Sequence, residues 1–168
     1  MRYKKLFAVA VIIMTSMCML ACGNSKKAEN NAVKMDSQSV EIKGNIIKID
    51  ENIKDVMKKI GETSDIEQSK SCLYKGYDKA YKYKDYIVRT YPDGEEDYVN
   101  SIEIYSSDIN IDKNIHVGDT KDIVIKEYGS SPVFDTDTYV TYEYDRNGIT
   151  FYYTDNKISE IEVYKIEK

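Results

Sequence analysis

Three kinds of side chain in this sequence are equipped for chemistry: thiols, a single imidazole and clustered carboxylates. Cys72 would act as a nucleophile or redox site only as its thiolate, a form that the cationic neighbours Lys70 and Lys75 would favour. A nucleophilic thiol also needs a base. The one histidine, His116, lies far along the chain in Ile115-His116-Val117, and no spacing ties it to Cys72. The commoner behaviour of a lone cysteine is that of a small buried hydrophobe. Zinc at His116 is disfavoured, because there is no second histidine and no cysteine pair beyond Cys18 and Cys22 of the export region. Asp108-Ile109-Asn110-Ile111-Asp112 superficially opens like a calcium loop. Lys113, however, occupies the place where an EF-hand needs glycine, and Asp119 the place of its closing glutamate, which leaves at most a looser site. Glu95, Glu96 and Asp97 are expected at a solvated hairpin tip. No Gly-rich phosphate loop and no Gly-x-Ser-x-Gly elbow occurs. A hydrolytic carboxylate pair would need a cleft of fixed width, which a thin helix-on-sheet domain offers poorly. No cofactor is expected.

The elements that position these residues begin with an export segment. Met1 to Lys5 is basic, and Leu6 to Ala21 is an unbroken run of apolar or small residues. That is the layout of a signal peptide, and the run is shorter than the ~18–20 residues of a spanning helix. It ends in Met19-Leu20-Ala21-Cys22, followed by Gly23-Asn24-Ser25. This resembles the lipobox of bacterial lipoproteins, in which a thioether joins diacylglycerol to the cysteine after cleavage before it. Met19 stands where leucine is usual. The resemblance implies a signal peptide over 1–21 and lipid attachment at Cys22, with two acyl chains sufficient for stable anchoring. Lipidated Cys22 and the polar stretch to Ser39 are predicted to form a disordered tether over 22–39. Its flexible part has a span of roughly 20–25 Å.

Charge restricts the partners. The whole chain is at −5, and loss of Arg2, Lys4 and Lys5 with the export segment would leave about −8. Such a domain has no electrostatic reason to bind nucleic acid and is repelled by anionic headgroups, so membrane contact falls to the lipid. Tyrosine is abundant, with 16 copies against 3 phenylalanines and no tryptophan. Codon bias towards AT explains that excess as well as a ligand does.

Periodicity predicts the domain over 40–168. Ile53, Val56, Met57 and Ile60 have amphipathic helical spacing, with Asn52 as N-cap and Gly61 as stop. Val124, Ile125 and Tyr128 repeat the pattern between Asp119, the second expected cap, and Gly129. Alternating strands follow each helix. Tyr81 and Tyr83 align with Tyr142 and Tyr144, and Ile87 and Tyr91 with Ile149 and Tyr153. Val99, Ile102, Ile104 and Tyr105 align with Ile158, Ile161, Val163 and Tyr164. Pro92-Asp93-Gly94 and Asn147-Gly148 are the expected turns. The fold class expected is α+β: two tandem helix-plus-three-antiparallel-strand repeats, about 50–105 and 117–165, with both helices on one face of the sheet. A leading hairpin around Gly44-Asn45 is expected to extend that sheet. An insertion in the first repeat, Glu62 to Lys79, is expected as an extra edge strand or covering loop.

Three segments carry a further likeness: Ser71-Cys72-Leu73-Tyr74-Lys75-Gly76-Tyr77-Asp78-Lys79, Tyr91-Pro92-Asp93-Gly94 through Asp97-Tyr98, and Gly118-Asp119-Thr120-Lys121-Asp122 leading to Tyr128-Gly129. In these the chain from Val40 onward resembles small lipoproteins of Firmicutes. At fold level it is similar to β-lactamase inhibitor protein and to outer-membrane-assembly lipoproteins of the SmpA/OmlA type. The resemblance implies binding to proteins rather than catalysis, and no functional residue transfers from it. The expected protein is a membrane-anchored, extracytoplasmic, non-catalytic binding or accessory module. Its partner would be an envelope or extracellular protein, and Cys72, Tyr74 and Tyr77 would lie in the binding region. The alternative is an envelope hydrolase or thiol-dependent enzyme using Cys72 or a carboxylate pair.

Overall fold

The computed structural model describes residues 39–167. The expected signal segment, Cys22 and all of the tether except Ser39 lie outside the described residues. Ser39 itself opens the first strand rather than closing a tether.

In chain order the elements are β1 (Ser39–Ile42), β2 (Asn45–Lys48), α1 (Ile53–Ile60), β3 (Ile66–Lys70), β4 (Tyr77–Lys82), β5 (Tyr86–Asp93) and β6 (Glu96–Ile104). They continue with β7 (Asn110–Ile111), a single 3₁₀ turn, α2 (Lys121–Tyr128), β8 (Phe134–Asp135), β9 (Tyr139–Tyr144), β10 (Asn147–Thr154) and β11 (Lys157–Lys165). Strands β3-β4-β5-β6-β11-β10-β9-β8 form one antiparallel sheet, and β2-β1-β7 form a second.

This corrects the expected α+β class. The described residues are mostly β, at 51% strand and 14% helix. An eight-residue helix is only about 12 Å long, whereas eight strands about 4.8 Å apart span roughly 34 Å, so two such helices cannot build a layer over the sheet. The helix-plus-three-strand repeats with a helical face are therefore set aside in favour of a continuous eight-stranded sheet. The leading hairpin does not extend that sheet either; it pairs with β7 in the smaller one. The Glu62–Lys79 insertion does supply an edge strand, β3.

Local chemistry accounts for the short helices. Asn52 caps α1 by accepting from the Lys54 N–H at 2.9 Å, while Ile53, Val56 and Ile60 are buried. Helix α2 departs from expectation: its N-cap is Thr120, which makes no side-chain cap bond, and the carboxylate of Asp119 accepts instead from the His116 N–H at 2.8 Å. Each helix stops at a glycine with positive φ, Gly61 or Gly129, whose N–H closes the last turn. A tyrosine clamps each of these ends, Tyr83 from just past β4 and Tyr142 from within β9. Tyr83 Oη donates to Gly61 O at 2.8 Å and Tyr142 Oη to Gly129 O at 2.7 Å. The buried side chains of both helices, the small sheet and the large sheet form one hydrophobic cluster that includes Val56, Ile102, Ile104, Val124, Phe151 and Ile161. The other face of the large sheet's central strands carries mainly polar residues, among them Ser101, Glu103, Thr150 and Glu162.

Candidate binding face

Strand alternation sends Ile102, Ile104, Ile161, Val163, Ile149 and Phe151 into the core, and their sequence neighbours to the opposite face. On that second face β6 contributes Ser101 and Glu103, with Tyr105 just past its end; β11 contributes Glu160, Glu162 and Tyr164; β10 contributes Thr150 and Tyr152; and β5 contributes Arg89. The pairing of β6 with β11 sets Glu103 directly opposite Glu162. Like charges in that position are destabilising. One guanidinium relieves part of the repulsion: Arg89 grips Glu103 through Nε and, at 3.3 Å, through Nη2. Tyr105 Oη adds a hydrogen bond to Glu103 at 2.9 Å, and Tyr152 Oη donates to Glu162 at 3.3 Å. Thr141 and Thr150 hydrogen-bond each other at 2.9 Å beside them.

The relief is incomplete. Burial, followed by the charge of Glu103, pushes the Glu162 carboxyl above the usual glutamate range, against the hydrogen bonds of Tyr152 and Ser101 and the charge of Arg89. Glu160 is raised in the same direction by burial, then by Glu103 and Glu162. Burial likewise pushes Tyr152 up to about 12, so its phenol remains a hydrogen-bond donor at neutral pH. The face thus holds three carboxylates around one arginine, with phenols between them.

Gly148 shapes one side of it. The Tyr164 ring lies so close against this residue that an added Cβ would sit 2.2 Å from the ring carbon Cζ. Asn147-Gly148 is accordingly not the hairpin turn that its sequence suggests. Both residues belong to β10, Asn147 pairs with Tyr144, and the turn falls at Asp145–Arg146. The glycine is there for close approach of a ring, not for left-handed backbone.

The residues singled out in the sequence are dispersed. Cys72 is exposed and forms no disulfide. Tyr74 stacks on Tyr91 with ring centroids 4.8 Å apart and donates to Glu167 at 2.7 Å. Lys165 completes that cluster, its ammonium 3.8 Å above the Tyr91 ring and 3.2 Å from Asp50. Tyr77 is half exposed at the start of β4 and lines a cavity of about 310 Å³, while Tyr74 lines a neighbouring one of about 460 Å³. Lys75, Gly76, Pro92 and Gly94 border both. A third cavity, about 320 Å³, lies beside β3 and β4 and is bordered by Glu67, Asp78, Ala80, Arg89 and Asn100. Cys72 and His116 line none of the three. His116 instead meets Asn110 through Nε2, with Nδ1 3.8 Å from Asp119. The acidic hairpin tip is engaged as well, with Glu96 paired to Lys54 and Asp97 to Lys79. Among the described residues no group of three or more His, Cys, Asp or Glu side chains is arranged to hold a metal ion.

The carboxylates at the middle of the face were missed in the sequence, where each looks like an ordinary outward residue of a strand. A signal was present. Ile102-Glu103-Ile104-Tyr105 recurs as Ile161-Glu162-Val163-Tyr164, and two strands carrying the same apolar-Glu-apolar triplet bring their glutamates together if they pair antiparallel about the glutamate.

No protein-family profile and no curated protein sequence matches the chain. Among solved structures it is similar in fold to a cysteine-rich secretory protein from Staphylococcus aureus subsp. aureus Mu50, with a TM-score of 0.50 and 13% sequence identity. The likeness covers 69% of this chain and 44% of that one, so the chain spans less than half of its structural neighbour.

Proposed function

We propose that the protein is a lipid-anchored, extracytoplasmic binding module that holds an envelope or extracellular protein against the polar face of its large sheet. One observation carries this reading: Glu103 and Glu162 oppose each other at the centre of a tyrosine-bearing face, at a cost to the folded chain. Local strain of this kind persists where function requires it. Tyrosines there supply contact area with a polar tip at low entropic cost. Tyr105, at 43% exposure, is the most accessible of them. The basic, then apolar, then small-residue order ending at Cys22 supports the anchor.

The test is site-specific photo-cross-linking in intact cells, with the reactive residue placed at Tyr105 or Tyr152 and, as a control, at exposed Lys58 on α1. One reproducible partner captured from both face positions, missed from Lys58 and lost in Glu160→Lys, supports the reading. Equal capture from all three positions, or capture indifferent to Glu160→Lys, refutes it. The anchor is tested separately by mass spectrometry of the native amino-terminal peptide. Diacylglycerol on Cys22 is expected, and an intact Met1–Ala21 segment would contradict it.

A further inference from the structure

The two ends of the large sheet are finished differently. At one end β8 has only two residues, which leaves little edge to pair with. At the other, β3 has five residues, all exposed, with no proline and a regular register against β4. The hydrogen-bonding parity of β3 follows from its flanks. The Lys82 N–H donates to Asp65 O at 2.9 Å and the Ser71 N–H to Gly76 O at 3.0 Å. Residues 65, 67, 69 and 71 therefore face β4, so the N–H and C=O groups of Ile66, Gln68 and Lys70 point away from the sheet. Among the described residues no strand pairs with them.

We infer that this free edge is a self-association site, on which β3 of a second copy pairs antiparallel about a two-fold axis at Gln68. The side chains select that register. Centring the pair on Glu67 would set two glutamates directly opposite, and centring it on Lys70 would set two lysines opposite. Both arrangements are unfavourable. Centring on Gln68 pairs all five residues, with Glu67 opposite Ser69 of the second copy and Ile66 opposite its Lys70. The lysine stem then covers Ile66, which is 45% exposed in the single chain. Closed two-fold pairing also consumes both free edges, so no fibre grows from this end. The interface is small, so the dimer is weak and concentration-dependent.

Parity makes the test clean. Gln68→Pro removes an outward N–H while leaving the β3–β4 ladder its own donors. The full chain, purified in detergent, is sedimented over a concentration series in density-matched buffer. Wild type is expected to approach twice the single-chain mass, and Gln68→Pro to stay at the single mass with an unchanged circular dichroism spectrum. Independently, Gln68→Cys in a Cys72→Ser background is expected to form a disulfide-linked dimer on mild oxidation. Facing residues there lie about 5.5 Å apart between Cα atoms, within disulfide reach. Cys72→Ser alone and Lys58→Cys in the same background should give none. A single-chain mass throughout with no Gln68→Cys product overturns the inference, as does a doubled mass that survives Gln68→Pro. Should Gln68→Pro fail to fold, the cysteine variant still decides.

Discussion

Phe151 and Tyr152 are adjacent on β10, yet they belong to surfaces with opposite requirements. Phe151 is fully buried and packs edge-on against Tyr128 from α2 and Tyr142 from β9, in a cluster of aliphatic and aromatic side chains. Tyr152 is partly exposed and reaches across to a carboxylate already crowded by another. The core face gains stability from the apolar groups it removes from water. The polar face gathers carboxylates whose proximity costs stability, and it offsets that cost only partly with Arg89 and a few phenols. A sheet that folded for its own sake would gain by replacing one of its opposed glutamates. Retaining both supports the proposed role of this face in recognition.

The contrast is sharpest when neighbouring residues are truncated. Phe151→Ala is expected to destabilise the fold by about 3–5 kcal/mol. Tyr152→Ala, one residue along, is expected to cost about 1 kcal/mol while reducing partner capture. Denaturant midpoints of the two variants measure the difference, and equal losses would erase the distinction between the faces. Gly148→Ala should fall between them. The new methyl group displaces the Tyr164 ring, at roughly 1–3 kcal/mol as an overpacked site, and a double variant that also carries Tyr164→Ala should recover much of the loss.

How far this contrast was legible in the sequence depends on what period-two patterning can register. Strand existence and the apolar face were readable from Val99, Ile102 and Ile104, and from Ile158, Ile161 and Val163, all of which are buried. The alignment of Ile87 with Ile149 was not sound. Tyr86, not Ile87, pairs with Ile104 as Ile149 pairs with Val163, and Ile87 points to the polar side. The ladder shifts register between Arg89 and Thr90 and again between Tyr152 and Tyr153. A bulge of that kind inserts a residue that alternation cannot detect. The fold class was misjudged because α1 has a conspicuous periodic signature to which the weaker α2 segment was matched, while β3 and β8 at the two sheet ends have almost none. The proposed binding face was hidden for a different reason. Glu103 and Glu162 are unremarkable until the sheet places them face to face, and that pairing is a tertiary fact.

Smaller effects refine the comparison within the core side. Tyr83→Phe and Tyr142→Phe each remove one hydrogen bond to a helix-ending glycine carbonyl, so each should cost about 1 kcal/mol, read from thermal melts. A variant that lost nothing would show that its helix end needs no clamp. Asn52→Ala should also cost about 1 kcal/mol by uncapping α1. Thr120→Ala should cost much less, because Thr120 makes no cap bond on α2.

On the polar side, pH is the sharper instrument. Burial and mutual repulsion raise Glu160 and Glu162 above ordinary glutamate in the folded chain. Between the ordinary and the raised values the folded state therefore holds more protons than the unfolded chain, so this contribution to stability declines as pH rises through that window. Exposed Asp55 and partly buried Glu96, lowered by hydrogen bonds from Lys58 and Lys54, act in the opposite sense at more acid pH.

The most direct measurement is the thermal midpoint of Glu162→Gln against wild type over a pH series. A face strained for binding predicts a higher midpoint for the variant near neutrality. That gain should shrink towards zero as acid protonates Glu162 in the parent, and partner capture should fall at the same time. A lower midpoint at neutral pH, with no dependence on pH, would mean that Glu162 supports the fold like any buried polar residue, and the polar face would lose its claim to be the binding surface.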